Sequence, residues 1–298
     1  MKSLTQIRYG GLFGSLLLVL LSLLAIWHYG LALSIDFTGG TVIEVSMATL
    51  ASATELQGLL SGQLAQLLTL KAGSEPGSWQ LLLPAGAALS DPHQVVALLS
   101  QQLGLPVQLL QATVIGPQVG EELYNQGGLA LLAASLSIMV YLALRFEWRL
   151  ALAAIASLLH DTILTLGLLA VLGVKLDLNV IAGMLAVIGY SLNDSIVIAD
   201  RLREVLKARP NDSIYASTDL AVAATFSRTL ITAGTTLFTI GCLLLLGGEA
   251  LYGFSITLFA GVVTGTWSSV TIASTVQELL GLSPEHYQPP VELIDDLP

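Results

Sequence analysis

Six stretches of this 298-residue chain hold apolar side chains almost without polar interruption, near 11–33, 128–144, 150–173, 178–199, 229–247 and 252–274. A helix needs about 20 apolar residues to cross a hydrocarbon core of about 30 Å, so each stretch predicts a membrane span. The first resembles a secretory leader only superficially. Its apolar core from Leu12 to Trp27 is longer than a usual leader core and no A-x-A cleavage pattern follows, which predicts an uncleaved anchor.

Between the first and second spans the pattern changes period. "TVIEVSM" (41–47), "WQLLLP" (79–84) and "PVQLLQATVIG" (106–116) alternate or run apolar as strands do, while "TELQGLLSGQLAQLL" (54–68) and "DPHQVVALLSQQLG" (91–104) repeat at helical spacing. Asp91 is placed to cap the second helix, with Pro92 at its first position. "GSEPGS" (73–78) marks a loop between the two halves. Strand-helix-strand-helix-strand predicts a small α/β domain of split βαβ, ferredoxin-like type. The fold class is therefore mainly α: a polytopic membrane protein with six transmembrane helices and that α/β domain between the first two.

The predicted division is 1–34 for an N-terminal arm and first span, 35–127 for the outer domain, 128–275 for the remaining spans and 276–298 for an acidic tail. Within the third part the charged and then amphipathic residues 200–227 predict helices lying along the inner membrane surface. The other connections, "RFEWR", "VKLD" and "GGEA", are short. No internal repeat or low-complexity segment interrupts this plan.

Composition agrees with the pattern, since 54% of residues are hydrophobic and 11% charged, against about 25% charged in soluble domains. With the N-terminus inside, nine of the eleven basic residues fall on or near the inner side and only Lys71 and Lys175 outside. The net charge of −10 comes from an acidic outer domain and tail, which excludes a nucleic-acid surface. A single cysteine, Cys242, permits no intrachain disulfide and no cysteine metal site. P-loop, H-E-x-x-H and G-x-S-x-G patterns are absent, so no cofactor and no enzymatic activity are expected, and any work done must draw on a partner or an ion gradient.

Against this background a few polar residues stand out, because an ionisable group in hydrocarbon costs about 2.5–3.5 kcal/mol. Asp161 lies twelve residues past Arg149, a rise of roughly 18 Å that places it near the midplane. Asp194 precedes Arg201 by seven residues, roughly 10 Å from the inner surface. Ser191, Ser195 and Tyr190 extend Asp194 into a polar stripe, and Thr229, Thr232, Thr236 and Thr239 form a hydroxyl row on the fifth span. Each has a plain alternative: a packed or hydrogen-bonded carboxyl, threonines bonded to their own backbone, an Arg228 that snorkels to the interface. His160 is expected to diverge from Asp161 by roughly 100° and to serve a different environment. Thr257, Gly261, Gly265, Ser269 and Ala273 make a small-residue face on the sixth span, with Gly261 and Gly265 expected to pack closely against a partner or a neighbouring span.

Five segments together resemble the SecF family of protein-export membrane proteins: "LSIDFTGGTVIEV", "VIGPQVGEEL", "HDTILTLG", "GYSLNDSIVIADRLRE" and "FSRTLITAGTTL", in order over residues 33–250. The resemblance implies membership of the resistance-nodulation-division superfamily and pairing with SecD beside the SecYEG channel. It further implies use of the proton-motive force to help translocating preproteins across the bacterial inner membrane, with both termini cytoplasmic and the α/β domain periplasmic. It implies proton-conduction roles for Asp194, for Arg228 as its partner, and for Asp161. The alternatives are a subunit of a small-molecule exporter of the same superfamily and a passive scaffold of the translocase; an intramembrane aspartyl protease lacks its G-x-G-D pattern.

Overall fold

The structure of the chain is a computed structural model that describes residues 2–47, 69–72, 77–86 and 91–287. Helix α1 (Lys2–Tyr29) is apolar around nearly its whole circumference from Gly10 onward and stops at Gly30, whose φ of +70° favours glycine. A single helical turn, α2 (Ile35–Thr38), leads into the Gly39-Gly40 pair and strand β1 (Gly40–Met47). Strands β2 (Thr69–Ala72) and β3 (Ser78–Pro84), helix α3 (Pro92–Leu103) and strand β4 (Val107–Ile115) complete the small domain.

The sheet order is β2-β3-β1-β4 with every neighbour antiparallel. The domain therefore has four strands, one more than the sequence pattern predicts. "TLKA" is too short to alternate visibly, yet it closes a hairpin with β3 and supplies the outer strand that a doubled βαβ unit requires. The helix expected over 54–68 lies outside the described residues. Alternation on β1 buries Ile43, Val45 and Met47, which pack with Leu81 and Leu83 of β3 against Val95 and Leu99 of α3. Asp91 caps α3 by accepting from the His93 amide at 3.0 Å, and Gly104 ends it at φ +64°.

Five long helices follow: α4 (Pro117–Arg145), α5 (Trp148–Leu172), α6 (Leu178–Ala208), α7 (Ile214–Leu246) and α8 (Gly248–Ser268). α8 runs on through a π-helical turn, Ser269–Ala273, into α9 (Ser274–Leu279). With α1 these make six segments long and apolar enough to cross a membrane. α5, α6 and α8 form the centre, while α1, α4 and α7 present apolar side chains outward. Residues 200–227 differ from the expected surface helices. Residues 200–208 prolong α6 and 214–227 open α7, so only Arg209–Ser213 turns the chain. Of their apolar positions, Leu202, Val205, Leu206, Ala221 and Val222 are buried inside the bundle, while Tyr215 and Phe226 face outward.

Among the described residues the small domain is seated on this bundle at two joints around α2, besides an approach of β2 to α8. At the first, a Cβ on Gly120 of α4 would stand 2.7 Å from the Phe37 carbonyl oxygen and 2.9 Å from the Gly39 amide nitrogen, so the start of α4 seats directly on the α2 turn. At the second, residues 32–36 lie along the α5–α6 loop. Ser34 donates its amide to Leu176 O and Leu176 to Ala32 O, both at 2.8 Å, and the Leu178 amide reaches Asp36 Oδ2 at 3.4 Å. The root of the domain is thus bonded through its backbone to the loop just ahead of α6, and through the Asp36 carboxylate to the first residue of α6.

Candidate functional site

The polar residues of the central helices divide into two carboxylate sites and one buried ion cluster. Asp161 on α5 is fully buried, and three side chains converge on it, with a fourth behind one of them. Ser191 of α6 donates to its Oδ2 at 2.5 Å and Ser268 of α8 to the same oxygen at 2.7 Å, while Ser157 donates to Ser268 at 2.8 Å. On the other oxygen, Oδ1 lies 2.8 Å from Nδ1 of His160. Here the expected divergence of His160 from Asp161 is corrected. The 100° between consecutive Cα–Cβ bonds is recovered by side-chain torsions, because the imidazole reaches back around the helix to its neighbour.

Space for this network comes from α8. A Cβ on Gly265 would sit 3.2 Å from Ser191 Cα and 3.5 Å from Asp161 Oδ2, and one on Gly261 would sit 2.5 Å from Val187 Cγ1 and closer still to Cγ2. Gly253 against Val180 and Thr257 against Gly183 continue the same seam between α8 and α6. Small residues at these positions let the two backbones approach closely enough for Ser191 and Ser268 to share one carboxylate oxygen.

Asp194 lies one turn beyond Ser191 on α6 and is poorer in partners. Only 2% of it is exposed, its Oδ1 receives a long 3.5 Å bond from Asn193, and its Oδ2 is buried with no hydrogen-bond partner. Ser195 turns its hydroxyl to the Ser191 carbonyl instead, and Tyr190 directs its own toward Thr236 and Thr266 without closing a hydrogen bond. Asn193, to which sequence reasoning assigns no role, is thus the sole donor to Asp194 among the described residues.

Arg228 is not in contact with Asp194. It is exposed, within electrostatic range of that carboxylate, and lines a cavity of about 410 Å³ between the ends of α4, α6 and α7, together with Arg145, Asp200, Arg201 and Glu204. Arg145 pairs there with Asp200 at 3.7 Å and Arg201 with Glu204 at 2.6 Å, whereas Arg228 forms no ion pair among the described residues. Two of the four hydroxyls in the row on α7 are bonded to their own helix: Thr232 donates to Arg228 O at 2.8 Å and Thr239 to Thr235 O at 3.0 Å. Thr229 differs, being buried with an unpartnered Oγ1.

The ion cluster is a feature that sequence reasoning misses. Arg8 of α1 is 0% exposed and holds Asp219 of α7 and Glu278 of α9, each at 2.9 Å. Thr5 donates to the second oxygen of Asp219 at 2.6 Å and Tyr9 to that of Glu278 at 3.1 Å. In the sequence, Arg8 reads as an interface flank and Glu278 as part of the tail. The available signal is Asp219, an acidic residue inside the otherwise apolar-periodic "YASTDLAVAATF". Among the described residues no group of three or more histidines, cysteines and carboxylates is placed to hold a metal ion.

Six spans, a small α/β domain rooted on the bundle, and carboxylates held inside it define a multi-pass membrane protein. Comparison with known proteins makes the class specific. The family model described as "Protein export membrane protein SecD/SecF, C-terminal" matches residues 95–282, and the "SecD/SecF GG Motif" model matches residues 24–49, around Gly39 and Gly40. The chain is 38% identical to the protein translocase subunit SecF of Pseudomonas aeruginosa over 95% of its own length and 94% of that protein's. Against SecF of Escherichia coli O157:H7 it is 37% identical, covering 93% and 86%. The crystal structure of SecDF from Thermus thermophilus, a translocon-associated membrane protein, superposes with a TM-score of 0.79 at 29% identity. That match covers 94% of this chain and 38% of the solved one, so the chain spans well under half of the SecDF polypeptide. The chain belongs to the SecF family of protein translocase subunits and serves protein export.

Proposed function

We propose that the chain is the SecF half of an export motor. It pairs with SecD in the bacterial inner membrane beside the SecYEG channel and uses the proton-motive force to promote movement of preproteins. Its termini lie on the cytoplasmic side, as the bias of basic residues favours, and its α/β domain (35–127) faces the periplasm. The single observation that carries this reading is the state of Asp194, a buried carboxylate with one oxygen unsatisfied while the Arg228 guanidinium stands nearby without an ion-pair partner among the described residues. A buried charge without a partner is costly. Two events relieve it: protonation of Asp194, or approach of Arg228.

These events exclude one another energetically, since a neutral carboxyl gives up most of its attraction for a guanidinium. A proton delivered to Asp194 thus favours one arrangement of α6 and α7, and its departure favours the other. Each proton that crosses carries about 2.3 kcal/mol per 100 mV of membrane potential, enough to shift such a two-state balance severalfold. The hydrogen bonds between residues 32–36 and the α5–α6 loop support transmission, because a displacement of α6 is then carried to the root of the outer domain. Asp161, with its oxygens already occupied, is a second proton-bearing position on the neighbouring helix.

The test is Asp194→Asn with insertion and SecD association verified, following maturation of secreted precursors with and without an uncoupler. Slowed maturation that no longer responds to the uncoupler is expected. Normal maturation with unchanged uncoupler sensitivity would overturn the reading in favour of a passive scaffold.

A further inference from the structure

The cavity of about 410 Å³ at the ends of α4, α6 and α7 draws one arginine from each helix: Arg145 closes α4, Arg201 stands on α6 and Arg228 on α7. Two carboxylates share its lining and each is taken, Asp200 by Arg145 at 3.7 Å and Glu204 by Arg201 at 2.6 Å. Three arginines against two carboxylates leave a single positive charge in excess, and among the described residues Arg228 is the arginine without an ion pair. Neither pair binds its arginine tightly. The four side chains are between 46% and 59% exposed, a setting in which ion pairs contribute little, and a guanidinium on one carboxylate still has N–H groups for a second acceptor.

The charges are graded in depth. Arg201 precedes the turn between α6 and α7 by eight residues and Arg228 follows it by fifteen, so Arg228 lies roughly 10 Å further from the turn. At that depth the wall becomes apolar, with Ile196 and Val197 on α6, Ala224 on α7 and the ring of Tyr141 one turn before Arg145. α4 and α7 are largely unburied along their spans, so this wall is continuous with lipid-facing surface. An occupant must therefore carry one negative charge, offer oxygens that suit guanidinium forks and extend an apolar body into hydrocarbon. A soluble anion lacks the apolar body. An acidic peptide would bring unsatisfied backbone groups down beside Ile196 and Val197. The phosphodiester of an anionic phospholipid meets all three conditions: its single charge equals the excess, and arginine binds phosphate through paired N–H bonds. A zwitterionic phospholipid leaves the excess standing.

We propose that this cavity binds the headgroup of an anionic phospholipid. The phosphate is held by Arg228, with Arg145 and Arg201 at the rim, and the acyl chains leave along Tyr141, Ile196 and Val197. Basic pockets between membrane helices hold anionic headgroups in this way. Binding needs no proton movement and does not rest on the proton-driven reading above. It adds a consequence to that reading, since a phosphate on Arg228 competes with Asp194 for the same guanidinium.

The experiment is photo-crosslinking from a benzoylphenylalanine placed at Tyr141, in full-length protein assembled with its partner in vesicles of phosphatidylethanolamine with a minor share of phosphatidylglycerol. Mass spectrometry identifies the lipid adducts. Phe13 of α1, an exposed aromatic outside the cavity, carries the probe in the control. The ratio of phosphatidylglycerol to phosphatidylethanolamine adducts at 141 should exceed that at 13 by about fivefold, the preference one arginine near an anionic lipid supports. Arg228→Gln should bring the two ratios together, Arg228→Lys should keep part of the difference, and Asp200→Asn, which frees Arg145, should widen it. Equal ratios at the two positions, or a difference that Asp200→Asn narrows, overturn the proposal; Asp200→Asn decides alone if Arg228→Gln does not assemble. An excess of inorganic phosphate that erases the difference would make this a soluble-anion site, and a difference that appears only once residues 288–298 are deleted would make the acidic tail the occupant, so either result also overturns it. The readout is adduct ratio rather than export. A preference for phosphatidylglycerol in a protein whose export ignores Asp194 upholds the lipid site and retires the proton-driven motor, whereas equal ratios with Asp194-dependent export retire the lipid site alone.

Discussion

Gly261 of α8 and Val187 of α6 meet so closely that a Cβ on the glycine would stand 2.5 Å from Val187 Cγ1 and nearer still to Cγ2. Valine is β-branched and holds one χ1 well in a helix, so it cannot swing aside. Gly261→Ala is expected to force the helices apart and destabilise the bundle by about 1–3 kcal/mol. Val187→Ala removes the obstructing methyls, and the double variant should recover most of the loss. Thermal unfolding of the four proteins in detergent measures this coupling; a Gly261→Ala protein as stable as the parent would show that the seam can open without cost.

A second prediction concerns the ion cluster at the N-terminal end of α1. Arg8 neutralises one of the two carboxylate charges around it, and all three side chains are nearly or wholly buried. Removing one member of a buried pair strands the rest, at a cost of about 3–5 kcal/mol. Arg8→Met should therefore be severely destabilised, while Arg8→Met combined with Asp219→Leu and Glu278→Met should regain much of the stability, since an apolar replacement of the whole cluster leaves no charge uncompensated. Resistance to proteolysis in detergent ranks the variants. If the triple variant is weaker than Arg8→Met alone, the cluster contributes more than mutual neutralisation.

The spans are legible in the sequence because some twenty consecutive apolar residues fit little besides a membrane crossing, and β1, β3 and α3 because their periods are unbroken. Strand β2 is not, since four residues give no period. Partnership is less legible than position. Asp161 and Asp194 announce themselves by their cost in hydrocarbon, but which of them is satisfied depends on Ser268, 107 residues away, and on the torsions of His160. Arg8, Asp219 and Glu278 each have an ordinary local reading, and only the packing of α1, α7 and α9 reveals them as one group.

Among the α7 hydroxyls, Thr232 offers a control. Its Oγ1 donates to Arg228 O at 2.8 Å and the residue is half-buried. Thr232→Val keeps the shape and removes only a hydroxyl bonded to its own helix, so it should change stability by no more than about 1 kcal/mol, and should leave precursor maturation at the parental rate. A marked export defect in Thr232→Val would mean that its hydroxyl leaves the backbone and takes part in the Asp194–Arg228 exchange.

The last prediction tests how motion would reach the outer domain. Leu33 and Leu176 are partners in a parallel bridge flanked by the two 2.8 Å backbone bonds. Neighbouring extended strands lie about 4.8 Å apart, within the Cα range of roughly 4.4–6.8 Å that a disulfide accepts. Cysteines at these two positions, in a background where the exposed Cys242 is replaced by Ser, should cross-link readily on oxidation. If α6 and the root of the domain travel as one body, the bond tethers two groups that never separate, and precursor maturation should proceed at the same rate oxidised or reduced. A defect that appears on oxidation and disappears with reductant would show that the joint opens during export. The domain would then be moved through another seat, such as the one where Gly120 of α4 meets the turn ahead of Gly40.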